Sequence, residues 1–106
     1  MLKFENRVAV VTGAGGTLCS EIAIQLAKEG AKVVLVGRTM EKLKTVLDKI
    51  TADGGAAFAY ACDVTDKAAI AELVKEVESK FGLCDYLVNG AGGNNVKAMP
   101  TITKFD

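Results

Sequence analysis

The chain has 106 residues and a mass of 11.1 kDa, enough for one domain with a real core and too little for two. Half of the residues are apolar, a quarter are charged and one is proline, which excludes disorder and collagen-like repeats. Thirteen basic and thirteen acidic residues cancel without forming blocks of either sign, so there is no electrostatic footprint for a nucleic acid and none is expected as a partner.

Three cysteines, Cys19, Cys62 and Cys84, occur without CxxC spacing, and there is no histidine. No zinc ligand set follows, no metal is expected, and the cysteines read as reduced, buried thiols. Without histidine, neither a Ser-His nor a Cys-His nucleophile couple can be built, so triad-type hydrolysis is excluded. The opening residues Met1 to Arg7 carry charge where a signal peptide needs an apolar run, and no window approaches a membrane span. The expected address is the cytoplasm, with no membrane partner.

Along the chain, Arg7 to Thr12 (RVAVVT) is a β-branched run that predicts a strand buried on both faces. A glycine-rich turn follows. Leu18, Ile22, Leu26 and Ala27 then recur at helical spacing up to Lys28, with Gly30 placed as a C-terminal cap. Val33 to Val36 predicts a second strand, and Met40, Leu43, Val46, Leu47 and Ile50 a second helix that closes at Asp53-Gly54-Gly55. Ala57 to Cys62 reads as a third strand. Ile70, Leu73, Val74, Val77 and Phe81 mark a third helix, capped by Thr65 or Asp66 and ended at Gly82. Tyr86 to Asn89 is a fourth strand, which runs into Gly90-Ala91-Gly92-Gly93; beyond it the pattern dissolves from Asn94 to Asp106.

Strands that alternate with helices of this length imply right-handed crossovers and a parallel sheet, because a tight turn cannot join parallel neighbours. The fold class is α/β: a doubly wound, Rossmann-type parallel sheet with helices on both faces, here partial, with four strands in the order 3-2-1-4. The whole chain, 1–106, is expected to be one dinucleotide-binding domain and the N-terminal part of a longer protein. Its switch point lies between the first and fourth strands, where ligands settle against the strand carboxyl ends. Both glycine-rich turns, 13–16 and 90–93, fall there. Four strands alone would leave the fourth with an unpaired edge, so something should cover it.

The first turn, Thr12-Gly13-Ala14-Gly15-Gly16-Thr17-Leu18-Cys19, joins a buried strand to a helix. Unsatisfied backbone N–H groups and the positive end of the helix dipole converge where a pyrophosphate could lie. Gly13, Gly15, Gly16, Thr17 and Leu18 are the candidate contacts. The competing reading is a tight turn that merely needs positive φ.

With these residues the sequence resembles the short-chain dehydrogenase/reductase family, whose first turn has the form TGxxxGxG. Thr12 and Gly13 match it, while Thr17 and Cys19 stand where the second and third glycines fall. Cys62-Asp63-Val64 is similar to the family's adenine-contacting Asp-Val pair, and Asn89-Gly90-Ala91-Gly92 to its Asn-Asn-Ala-Gly segment. The resemblance implies that Asp63 and Val64 meet the adenine and that Asn89, Ala91 and Gly92 line the nicotinamide end. The alternatives are helix capping for Asp63 and a plain loop for the glycines. A further short string, Gly92 to Ala98, resembles members acting on sugar acids such as mannonate or fructuronate.

Position 37 is where NAD-specific folds of this kind place an acid for the adenosine 2′-hydroxyl. Here it is Gly37, and Arg38 follows with a guanidinium able to pair with a 2′-phosphate, with the Thr39 hydroxyl beside it. NADP is therefore preferred over NAD, the alternative for Arg38 being an exposed loop cation. The resemblance also implies a Ser-Tyr-Lys set that handles the proton during hydride transfer, expected beyond Asp106. Neither Tyr60 nor Tyr86 is followed by a lysine four residues on, and no catalytic residue is assigned in this chain. The reading is an NAD(P)-dependent oxidoreductase acting on the alcohol or carbonyl of a small molecule, a sugar acid or polyol, of which this chain supplies the coenzyme-binding part. Its alternative is a non-catalytic nucleotide-binding or regulatory module. A third is a fragment whose bare fourth strand pairs with a copy of itself, and the resemblance implies a homo-oligomer for the whole enzyme.

Overall fold

The computed structural model describes residues 5–14, 16–63, 65–89 and 101–104. Strands and helices alternate as β1 (Val8–Thr12), α1 (Thr17–Lys28), β2 (Lys32–Gly37), α2 (Met40–Ala52), β3 (Ala56–Ala61), α3 (Lys67–Lys80) and β4 (Tyr86–Asn89), and β5 (Thr101–Lys104) follows. One sheet runs in the order β3-β2-β1-β4-β5. Its first four strands are parallel, in the Rossmann-type order 3-2-1-4, with Val10 beside both Val34 and Leu87 at the centre.

The two faces of the sheet separate by alternation, as the pleat requires. Ala9, Val11, Val33, Leu35 and Val88 point to one side, where Cys19 and Ala23 of α1 and Leu43, Val46 and Ile50 of α2 complete a core. Val8, Val10, Val34 and Val36 point to the other and meet Leu73 and Val77 of α3. Every residue of β1 is buried, which explains why its sequence is a continuous apolar run rather than an alternating one.

Helix ends follow from local chemistry. Past α1, Gly30 takes φ of 97°, a left-handed value that a side chain would oppose. There Gly30 N–H donates to the Ala27 carbonyl and Ala31 N–H to the Leu26 carbonyl, each at 3.0 Å, which satisfies carbonyls the helix leaves over. At the start of α3 the cap is Asp66, whose Oδ1 accepts from the N–H groups of Ala68 and Ala69 at 3.0 and 3.3 Å. Thr65 is thereby relieved of the capping role.

Three expectations need correction. The sheet has five strands rather than four, because β5 runs antiparallel along β4, from Tyr86 opposite Lys104 to Asn89 opposite Thr101. The edge of β4 is therefore not bare. Thr101-Ile102-Thr103 favours extended backbone through its β-branched side chains, but three residues are too short a run to show a period. Leu18 does not belong to the core stripe of α1: it is 50% exposed, and the buried positions are Cys19 and Ala23. Met40 and Val74, placed in the apolar stripes of their helices, are likewise largely exposed; the buried sets are Leu43, Val46 and Ile50 on α2, and Leu73 and Val77 on α3.

Candidate functional site

The carboxyl ends of β1, β2, β3 and β4 share one edge of the sheet, and the candidate residues gather there. β1 ends at Thr12, whose hydroxyl donates to the Val88 carbonyl of β4 at 3.4 Å and ties together the two strands that flank the switch point. The chain then turns through Gly13, with φ of 67°, a conformation that strongly favours glycine. This bend is closed internally. Ala14 N–H donates to the Val36 carbonyl and Gly16 N–H to the Gly13 carbonyl, both at 3.0 Å.

Among the described residues of this turn, the amides of Ala14 and Gly16 are thus already bonded, and those of the first turn of α1 are the ones left available to an anion. Ser20 N–H makes the first intrahelical bond, to the Gly16 carbonyl at 2.9 Å, so the N–H groups of Thr17, Leu18 and Cys19 precede any carbonyl the helix could offer them. The N-cap is Gly16, no side chain caps it, and no acidic residue sits in the first turn. The positive end of the dipole is thus left uncompensated by the protein's own carboxylates. A Cβ at position 16 would lie 3.3 Å from the Gly13 carbonyl oxygen, which favours glycine there through packing alone.

One strand further out, Cys62 N–H donates to the Gly37 carbonyl at 2.9 Å and carries the β2–β3 ladder past the strand ends. Arg38 and Asp63 are brought together in consequence: a guanidinium nitrogen of Arg38 lies 3.7 Å from Asp63 Oδ1. The same Oδ1 accepts from the N–H and the hydroxyl of Thr65, at 2.9 and 2.7 Å. These hydrogen bonds, and then the Arg38 charge, lower the Asp63 pKa below the usual carboxylate value, against some desolvation. Asp63 is thus a fixed anion and not a helix cap. Arg38, at 76% side-chain exposure, keeps most of its donors turned to solvent. Thr39 is the N-cap of α2, and its side chain makes no capping bond.

Thr17 begins α1, and Asn89 ends β4 opposite Thr12 and Thr101. Gly15, Val64, Ala91 and Gly92 lie outside the described residues. The roles of Thr12 and Thr65 went unnoticed in the sequence: a hydroxyl bond between distant strands leaves no local signal, whereas the Asp-x-Thr spacing at 63–65 is a recognisable turn pattern. Burial raises the pKa of all three thiols, which keeps them protonated near neutrality. Tyr60, the last residue but one of β3, stands close to this edge, whereas Tyr86 does not. The first packs on the α3 face of β3, and the second starts β4 at its opposite end. Among the described residues no group of three or more cysteines and carboxylates could hold a metal ion, and no helix is long and apolar enough to cross a membrane.

The family model described as short chain dehydrogenase matches residues 7–106. The uncharacterized oxidoreductase UxuB of Bacillus subtilis is 41% identical over 101 residues, which cover 95% of this chain and 36% of that protein. The crystal structure of a provisionally assigned D-mannonate oxidoreductase from Haemophilus influenza, with bound NAD, superposes with a TM-score of 0.82 at 45% identity, over 89% of this chain and 34% of the other. A metagenomic short-chain oxidoreductase in complex with NADP gives a TM-score of 0.80 at 45% identity, over 84% of this chain and 40% of the other. The chain spans little more than a third of the length of these proteins.

Proposed function

Since this chain belongs to the short-chain dehydrogenase family, we propose that it is the coenzyme-binding part of an oxidoreductase that moves a hydride between NADP(H) and an alcohol or carbonyl. The observation that carries the reading is the uncapped, acid-free start of α1, entered through the left-handed Gly13. It lies at the same sheet edge as the Arg38–Asp63 pair. In this assignment the N–H groups of Thr17, Leu18 and Cys19 hold the pyrophosphate, with Gly13, Gly15 and Gly16 shaping the approach. Leu18, half-exposed at the mouth, supplies an apolar contact beside them. Asp63 accepts from the adenine amino group with Val64 beside it, while Asn89, Ala91 and Gly92 border the nicotinamide end.

The preference for NADP rests on Gly37 and Arg38. No carboxylate stands at the end of β2 to repel a 2′-phosphate, and Asp63 holds the guanidinium nearby while leaving it open to solvent. The Thr39 hydroxyl, unused in capping, is a second donor. Solved neighbours carry NAD or NADH in three cases and NADP in one, so the preference depends on these residues alone. When bound, the dinucleotide supplies the hydride. This chain's residues bind and orient it, and the proton-handling groups come from sequence outside these 106 residues. The provisional D-mannonate assignment of the Haemophilus neighbour supports a sugar acid or polyol as substrate.

Fluorescence titration with NADPH and NADH tests the reading, on this chain and on the protein extended to its relatives' length. Saturable binding of both with tighter NADPH binding is expected; absence of binding by the extended protein would refute it.

A further inference from the structure

The turn from β3 into α3 holds a hydroxyl that neither closes the turn nor starts the helix. Asp66 N–H donates to the Asp63 carbonyl at 3.0 Å, which closes the turn through the backbone. The Asp66 carboxylate caps α3. Thr65 is exposed and belongs to neither core. Its side chain serves a carboxylate instead: the hydroxyl donates to Asp63 Oδ1 at 2.7 Å, beside its own N–H at 2.9 Å.

Those two bonds decide how Asp63 meets Arg38. A carboxylate oxygen has about two lone-pair directions, and Thr65 fills both on Oδ1. The Arg38 guanidinium stands 3.7 Å from that same oxygen, outside hydrogen-bonding range. In full contact an arginine and a carboxylate pair as two forks, one N–H to each oxygen at about 2.7–2.9 Å. With Oδ1 occupied, the fork does not close. The guanidinium is drawn to Asp63 by charge alone, with 76% of its side chain in solvent. That charge is fully developed, because the Thr65 hydroxyl and then its N–H hold the Asp63 pKa below the ordinary carboxylate value.

Resting on the assignment of Arg38 to the 2′-phosphate, we propose that Thr65 is a positioning residue for coenzyme selection: its hydroxyl occupies Asp63 Oδ1 and keeps the Arg38 guanidinium from closing onto the carboxylate, so that its donors stay open to that phosphate. Thr65 itself touches no coenzyme atom and acts through Asp63. The arrangement holds Arg38 at the ends of β2 and β3 without neutralising it. A guanidinium closed onto a carboxylate has two N–H groups taken and its charge cancelled, so it attracts a phosphate far less. NADH carries no 2′-phosphate, whereas both coenzymes carry the adenine that Asp63 is assigned to meet. The signature of the Thr65 hydroxyl is therefore a difference between the coenzymes, and a loosened turn would weaken both alike.

Thr65→Val keeps the β-branched shape and the N–H but removes the hydroxyl, and Thr65→Ala repeats the test should the valine variant not fold. In the protein extended to its relatives' length, fluorescence titrations should show NADPH affinity falling about tenfold and NADH affinity by less than about threefold. Thr65→Ser retains the donor and should retain the NADPH advantage. In the Arg38→Ala background, Thr65→Val should weaken NADPH no more than NADH. A readout without coenzyme accompanies these: NMR of the Arg38 guanidinium should show its N–H protons exchanging more slowly in Thr65→Val than in the unaltered protein, as bonds to Asp63 form. Equal losses for both coenzymes, a serine variant without the NADPH advantage, or guanidinium exchange that does not slow overturns the proposal and leaves the Arg38 assignment standing. NADPH affinity unchanged by Arg38→Ala alone removes that assignment, and the role of Thr65 with it.

Discussion

Replacing Arg38 with alanine isolates the residue on which the proposed coenzyme preference rests. The side chain is 76% exposed and 3.7 Å from Asp63, so its removal opens no cavity and the β2–β3 ladder is untouched. Hydrogen bonds to charged groups contribute about 1.5–3 kcal/mol when well made. At this exposure the lower figure applies, since solvent and salt screen the pair. That corresponds to about a tenfold loss of NADPH affinity. The loss is deepened because Asp63 remains an anion, held by Thr65, and its charge near the 2′-phosphate is then unopposed. NADH lacks that phosphate and should change by less than about threefold, the exposed-pair range. Parallel fluorescence titrations of both reduced coenzymes, at low and high salt, provide the assay: the NADPH advantage of the unaltered chain should shrink with salt, and that of Arg38→Ala should be absent at both. Unchanged NADPH affinity, or equal losses for both coenzymes, would refute the assignment of Arg38 to the 2′-phosphate.

Two predictions concern stability at the ends of α3 and β3. Asp66→Ala removes the side-chain acceptor for Ala68 and Ala69 N–H and should cost about 1 kcal/mol, a fall of about 4 °C or more in Tm for a domain of this size, read by circular dichroism. Asp63 has its pKa lowered, first by the Thr65 hydrogen bonds and then by Arg38, so its ionised form adds stability above the ordinary carboxylate value of 3.8 that is lost as pH falls through the lower folded value. Denaturant titrations from pH 6 to about pH 2 should show a shallower acid loss for Asp63→Asn; an identical acid limb would mean that the carboxylate is not held as described.

What was legible in the sequence was whatever repeats or is punctuated locally. The buried run at 8–12, the helical spacing of Leu43, Val46 and Ile50, and the glycines at 30 and 54 each report on a few neighbouring residues, and the order 3-2-1-4 follows once every strand must be parallel. The failures share a cause, which is that the deciding contact lies elsewhere in the chain. Leu18 has helical spacing from Ile22 and Leu26, yet the core claims Cys19 and Ala23 because the turn at Gly13 sets the rotation with which α1 leaves the sheet. β5 is strand only because the outer edge of β4 is there to receive it. The site shows the same division. Its parts could be named from the glycine turn and the residues after β2 and β3, but not that Ala14 and Gly16 turn their amides into the protein. In the proposed assignment, that detail moves the pyrophosphate contacts from Ala14 and Gly16 to the first turn of α1, where Thr17 and Cys19 stand in place of the family's glycines. Departure from the glycine pattern therefore affects the side chains around those amides rather than the supply of donors, since any residue at 17 or 19 presents the same N–H.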